Sequence, residues 1–177
     1  MSDWTLTNND GELLLHTGVE GRAARTGHNL EIRMDEWTAT AETDGDGHPT
    51  SVRLSVPLDS MEVVGAQGGL TMMTKSEKKV ARGNALKSMN AKKNTTVEYV
   101  SSDVQRDGDT YAVSGQLTIN GITRAHPLTV TANGAAFSCE TVVAQTNFGI
   151  KPYSLMMGAL KVADQVTISI TATVPNP

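Results

Sequence analysis

At 177 residues, 38% of them hydrophobic, the chain is long enough for one domain with a sizeable core and shows no sign of a second. A formal net charge of −4 excludes a general nucleic-acid binder, which needs a broad basic face. The single cysteine excludes an internal disulfide framework and a cysteine-based zinc site, and no apolar run approaches a bilayer span, so a soluble protein is expected.

The first stretch, MSDWTLTNNDGELLL, has no basic region followed by an apolar segment and a small-residue cleavage site, so the expected location is the cytoplasm. From there the pattern is β nearly throughout. In GHNLEIRM, His28 shares the parity of Leu30, Ile32 and Met34 and should point inward at the start of a strand. The apolar parity changes between Met34 and Trp37, as a bulge would cause. SVRLSVPLD places Val52, Leu54, Val56 and Leu58 on one face. YAVSGQLTI does the same with Tyr111, Val113, Gly115, Leu117 and Ile119. Cys139 is in phase with Phe137 and Val143, which makes it a buried strand thiol. QVTISITATV sets Val166, Ile168, Ile170, Ala172 and Val174 against a row of hydroxyls. Turn signals at Asn9-Asp10-Gly11, Asp44 to Gly47, Asp107-Gly108, Asn120-Gly121 and Asn133-Gly134 punctuate the strands. About ten short strands, each with one face buried and one wet, predict an antiparallel barrel or sandwich.

One segment departs from this pattern. Residues 75–93 carry Val80, Leu86 and Met89 at loose helical spacing and predict a short helix resting on the outside, with Ser76 as N-cap. Seven basic residues lie here (Lys75, Lys78, Lys79, Arg82, Lys87, Lys92, Lys93) against one acid, Glu77. The segment therefore carries +6 and, against −4 for the whole chain, leaves −10 elsewhere. It reads as a solvated face, or as a weak docking patch for an anionic membrane surface or an acidic partner.

Candidate chemistry is sparse. None of His16, His28, His48 and His126 forms a local metal pair, and DGDGHPT lacks the later ligands of a calcium loop. No phosphate loop or nucleophile elbow occurs, so no metal, cofactor or catalytic residue is expected. The stretch GQLTINGITRAHPLTV is more pointed. With Asn120-Gly121 as a two-residue turn, Ile119 pairs with Ile122, Leu117 with Arg124, Gly115 with His126 and Val113 with Leu128. Arg124 and His126 then share the inward face, and Gly115 leaves space opposite the imidazole. Arg124 can snorkel out at the barrel end. His126 needs a buried carboxylate or carbonyl, or the two side chains hold the anionic or carbonyl head group of a ligand. In residues 146–164, Tyr153, Leu155, Met156, Met157 and Leu160 are too apolar for a free loop, so they should plug a barrel end or line a ligand mouth.

At these residues the sequence resembles the YceI family. VPLDSMEV, GQLTINGITR and TNFGI match three ordered family motifs, and TGHNL with Trp37 and GIKPYSLMMGALKVADQV are similar to a branch common in high-GC Gram-positive bacteria. The chain departs at Ala125-His126, where the family has proline and an apolar residue, in residues 65–93, and in the secretion signal that many members carry. The resemblance implies an all-β, elongated, eight-stranded antiparallel lipocalin-like barrel with one helix, spanning residues 1–177 and enclosing an apolar tunnel. It implies binding, shielding or carriage of an isoprenoid or other long-chain ligand. The tunnel would be lined by inward strand positions (His28, Leu30, Ile32, Leu54, Val56, Val113, Leu117, Leu128), by Arg124 and His126, and by the 153–160 lid. A barrel with a packed interior acting as a stress-associated interaction protein is the alternative, and an isomerase or hydrolase using an inward histidine is less favoured. A homodimer is left open.

Overall fold

The structure, a computed structural model, describes residues 3–175. In chain order the strands are β1 (Trp4–Thr7), β2 (Gly11–His16), β3 (Val19–Glu20), β4 (His28–Met34), β5 (Thr38–Thr43), β6 (Pro49–Pro57) and β7 (Met61–Gly68). Helix α1 (Lys75–Ser88) follows, then β8 (Thr96–Asp107), β9 (Thr110–Ile119), β10 (Ile122–Ala125), β11 (Leu128–Asn133), β12 (Ala136–Ala144), β13 (Ser154–Leu155), β14 (Leu160–Val162) and β15 (Gln165–Thr173). These fifteen segments reduce to eight long strands and a small accessory sheet. β1 pairs with β5 while β2 pairs with β4, and β6 pairs with β5 while β7 pairs with β4, all antiparallel. Each of β1–β2, β4–β5 and β6–β7 is thus one strand, interrupted where its neighbour is interrupted. The predicted parity change between Met34 and Trp37 is one such interruption. Asn9-Asp10-Gly11 is another, and it does not reverse the chain as a hairpin would: Asp10 accepts from the Thr7 amide and β2 continues along the same neighbour.

From β6 the sheet runs through β8, β9, β11, β12 and β15 and returns to β2, so the ring closes on the strands it began with. Closure gives every long strand a neighbour on both sides over part of its length, while β1, β7 and β10 each pair on one side only. Connections sort by end. Tight turns at 44–48, 108–109 and 134–135 lie at one end; the long ones, 17–27, 69–95 and 145–164, lie at the other. β13, β14 and β3 form the accessory sheet within those long connections.

Helix α1 begins at Thr74, not at Ser76: the Thr74 hydroxyl accepts from the Glu77 amide and the Glu77 carboxylate accepts from the Thr74 amide. Ala81, Ala85, Leu86 and Met89 pack on the barrel. Arg82 donates to the backbone carbonyls of Met61 and Asp59 at 2.5 Å, so one of the seven basic side chains anchors the helix to β7 and is unavailable to a partner.

The Asn120-Gly121 turn forms as predicted, with φ of 53° and 72°, and every predicted pairing across it is found. The space at Gly115 is filled, however, by the ring of Tyr99, whose hydroxyl donates to the His126 carbonyl at 2.8 Å. A Cβ at Gly115 would lie 2.5 Å from that ring. Gly115→Ala should therefore lower unfolding free energy by about 1–3 kcal/mol through overpacking, measured by urea denaturation. An unchanged midpoint would show that Tyr99 has room to move.

Candidate functional site: a two-chambered tunnel

The inward face predicted from parity lines two cavities. The inner one, about 220 Å³, takes Leu54, Val56, Val113, Leu117, His126 and Leu128 from the predicted set. The outer one, about 560 Å³, takes His28, Leu30, Ile32, Tyr153, Leu155 and Leu160. Leu15, Met61, Met89, Ile119, Val143 and Ile168 belong to both linings and form the neck between them. Sequence reasoning missed the neck. Parity marks these side chains as inward, but their height in the barrel depends on the stagger of strands far apart in sequence.

Aromatic side chains set the difference in size. Five of the seven in the chain (Trp4, Trp37, Tyr99, Tyr111, Phe137) line the inner chamber. Phe137 lies 5.9 Å from Trp4 and 6.1 Å from Tyr111, centroid to centroid, which fills the end bearing the tight turns. Tyr153 is the one aromatic residue on the outer chamber, whose walls are strand aliphatics, one face of α1 and the accessory sheet.

Polarity follows the same division. No Asp, Glu, Lys or Arg lines the inner chamber, whereas His28, Glu77 and Lys161 line the outer one. His28 Nε2 lies 2.7 Å from the Thr71 carbonyl, the backbone partner expected of a histidine at a barrel end. His126 faces the inner chamber with Nε2 2.8 Å from the Thr141 hydroxyl. Its partner is thus a hydroxyl, not the carboxylate or carbonyl anticipated. Cys139, also on this lining, is held protonated by burial, which pushes its pKa up and makes it inert.

Three predicted site residues line neither chamber. Arg124 has the expected register opposite Leu117, but β10 has only β9 beside it, and the turn Gln145–Phe148 occupies the other side. The guanidinium donates to the Asn147 carbonyl at 2.9 Å and stays exposed. Met156 and Met157 form the tip of the β13–β14 hairpin with φ of 52° and 55°, and both project into solvent. The burial expected of residues 153–160 is therefore met by Leu160, half-buried, while Leu155 is 48% exposed and Met157 fully so. Asp44, Asp46 and His48 cluster on the β5–β6 turn, where the Asp44 carboxylate caps the Asp46 and His48 amides. That role is structural.

A closed antiparallel barrel, with aromatics gathered at one end and a chamber under a helix at the other, defines a lipocalin-like barrel. The chain belongs to the YceI-like domain family, which matches residues 4–174. BcnA of Burkholderia cenocepacia has a similar structure, with a TM-score of 0.65, 20% identity, and 91% of this chain and 96% of that one covered. The YCEI protein of Campylobacter jejuni aligns at a TM-score of 0.56 and 15% identity, covering 85% and 86%. A mutant CJ YCEI protein with a monobromobimane guest aligns at 0.60 and 13% over the same shares. No curated protein matches the chain. Among the described residues no helix is long and apolar enough to cross a membrane.

Burial lowers the His126 pKa from its ordinary value near 6.5. The unfolded chain then binds this proton more readily than the folded one, so His126 favours folding above about pH 6.5 and that contribution is lost as pH falls through the folded-state value. His126→Gln, which can keep the bond to Thr141, should flatten the fall in Tm between pH 7 and pH 5, about the range in which histidine titrates. Parallel curves for both proteins would show that His126 is not a source of acid sensitivity.

Proposed function

We propose that the protein binds and carries, or shields, a single long apolar chain, isoprenoid or fatty-acyl, with the chain end in the inner chamber and the polar end at the mouth. The observation that carries this reading is the pairing of an uncharged inner chamber with a larger outer one through a shared aliphatic neck. Drug-sized ligands occupy about 300–1,000 Å³. The outer chamber alone reaches that range, which counts against a barrel packed solid. The charged side chains that could meet a head group, Glu77 and Lys161, lie at the mouth beside His28 and Ser76. Arg124 and His126 do not meet in one site: His126 lines the inner chamber, while Arg124 bonds the Asn147 carbonyl and lines neither chamber. A binding role also fits the histidines better than acid–base catalysis. His28 and His126 each place Nε2 against an uncharged oxygen, with no orienting carboxylate beside them.

Native mass spectrometry and organic extraction of freshly purified protein should recover one chain-bearing lipid per protein. No copurified lipid, together with no uptake of polyprenyl or acyl probes, would contradict the proposal. The neck supplies a second test. Ile168→Phe narrows it, and should weaken binding of long chains about tenfold or more while short chains that fit the outer chamber bind as before. Equal losses for both would place the chain elsewhere.

A further inference from the structure

The segments that supply the outer-chamber lining also carry apolar side chains left exposed to solvent. Leu70 is 79% exposed and Met72 92%, both on the segment between β7 and α1 that also supplies Met73 to the outer chamber. Val80, on the helix face that lines the chamber, is 63% exposed. The β13–β14 hairpin presents Leu155, Met156 at 56% and Met157 at 107%. Scattered exposed hydrophobics need no explanation, but a set concentrated on the segments that line one chamber does. The hairpin tip sharpens the point. Met156 and Met157 hold left-handed φ in succession, a strained conformation for non-glycine residues, and both long apolar side chains are exposed.

Positive charge accompanies this collar. Lys75, Lys78 and Lys79 lie within the helix turns next to Met72, Met73 and Val80, and none has a carboxylate partner among the described residues. They belong to the +6 segment of a chain that is otherwise −10. Apolar side chains that insert at the headgroup–acyl boundary, beside unpaired lysines, suit an anionic bilayer. A stable protein interface buries about 800 Å² per partner in one packed face, which a narrow hairpin tip does not offer.

We propose that the mouth of the tunnel is a membrane-docking surface. Met156 and Met157 on one side, with Leu70 and Met72 on the other, insert into an anionic lipid surface, and Lys75, Lys78 and Lys79 engage its head groups. This rests on the lipid-binding reading for its purpose, since a mouth pressed to the bilayer lets a chain pass without crossing water. Docking itself is measurable without any ligand transfer.

The test is flotation with vesicles of phosphatidylcholine alone and of equal parts phosphatidylcholine and phosphatidylglycerol, over a salt series. Wild type should bind the anionic vesicles preferentially and release as salt rises. The combined Leu70→Ser, Met72→Ser, Met156→Ser, Met157→Ser variant should lose anionic-vesicle affinity about tenfold or more. It should keep its affinity for a soluble short-chain acyl probe, because none of the four lines the tunnel. Lys75→Ser with Lys79→Ser should flatten the salt dependence. Vesicle binding equal in wild type and the four-site variant overturns the proposal. So does a wild-type dimer without vesicles that the same variant abolishes, which would assign the collar to a second copy. Normal docking with no probe uptake would instead remove the lipid-carrying function and leave the surface standing.

Discussion

The structure depends on sheet closure. A twisted antiparallel sheet with apolar side chains on one face must either find another layer to cover that face or curl until the face covers itself. Here the second course is taken, and β15 returns to β2 so that each long strand has a neighbour on both sides over part of its length. An eight-stranded ring has a fixed bore that side chains either fill or nearly fill. With aromatics at 4% of the chain, and most of them gathered toward one end, the ring is filled there and open at the other. The tunnel is thus a consequence of composition acting within a closed perimeter.

The same perimeter decides where polarity can go. On the inner chamber His126 is half-buried and bonded to Thr141, and burial favours its uncharged form. Trp37, on the same lining, has a buried indole N–H with no hydrogen-bond partner among the described residues, at a cost of about 1–3 kcal/mol. Charge is confined to the mouth, where the long connections supply α1 and the accessory sheet. A ligand with one polar end has only one favourable direction of insertion.

The inward face was legible in the sequence because strand parity is local: Val52 to Leu58, Tyr111 to Ile119 and Val166 to Ala172 all point as the alternation says. The Asn120-Gly121 register was legible for the same reason, since a two-residue turn fixes its own pairing. The true helix start had a signal too, in the Thr74-x-x-Glu77 capping box, which outweighs the serine at 76. What failed depends on neighbours remote in sequence. Arg124 leaves the tunnel because β10 has a strand on one side only; Gly115 faces Tyr99 because of the β8–β9 register; Met157 turns outward because of a left-handed backbone that no spacing rule anticipates.

The central claim is that one chain threads both chambers through the neck, and affinity as a function of chain length tests it most directly. With a homologous series of saturated acyl probes, binding should strengthen by about 0.8 kcal/mol per added methylene while the chain fills the outer chamber and passes the neck, then level off when the inner chamber is full. A series whose affinity does not change with length, or that peaks at chains short enough for the outer chamber alone, would contradict the account.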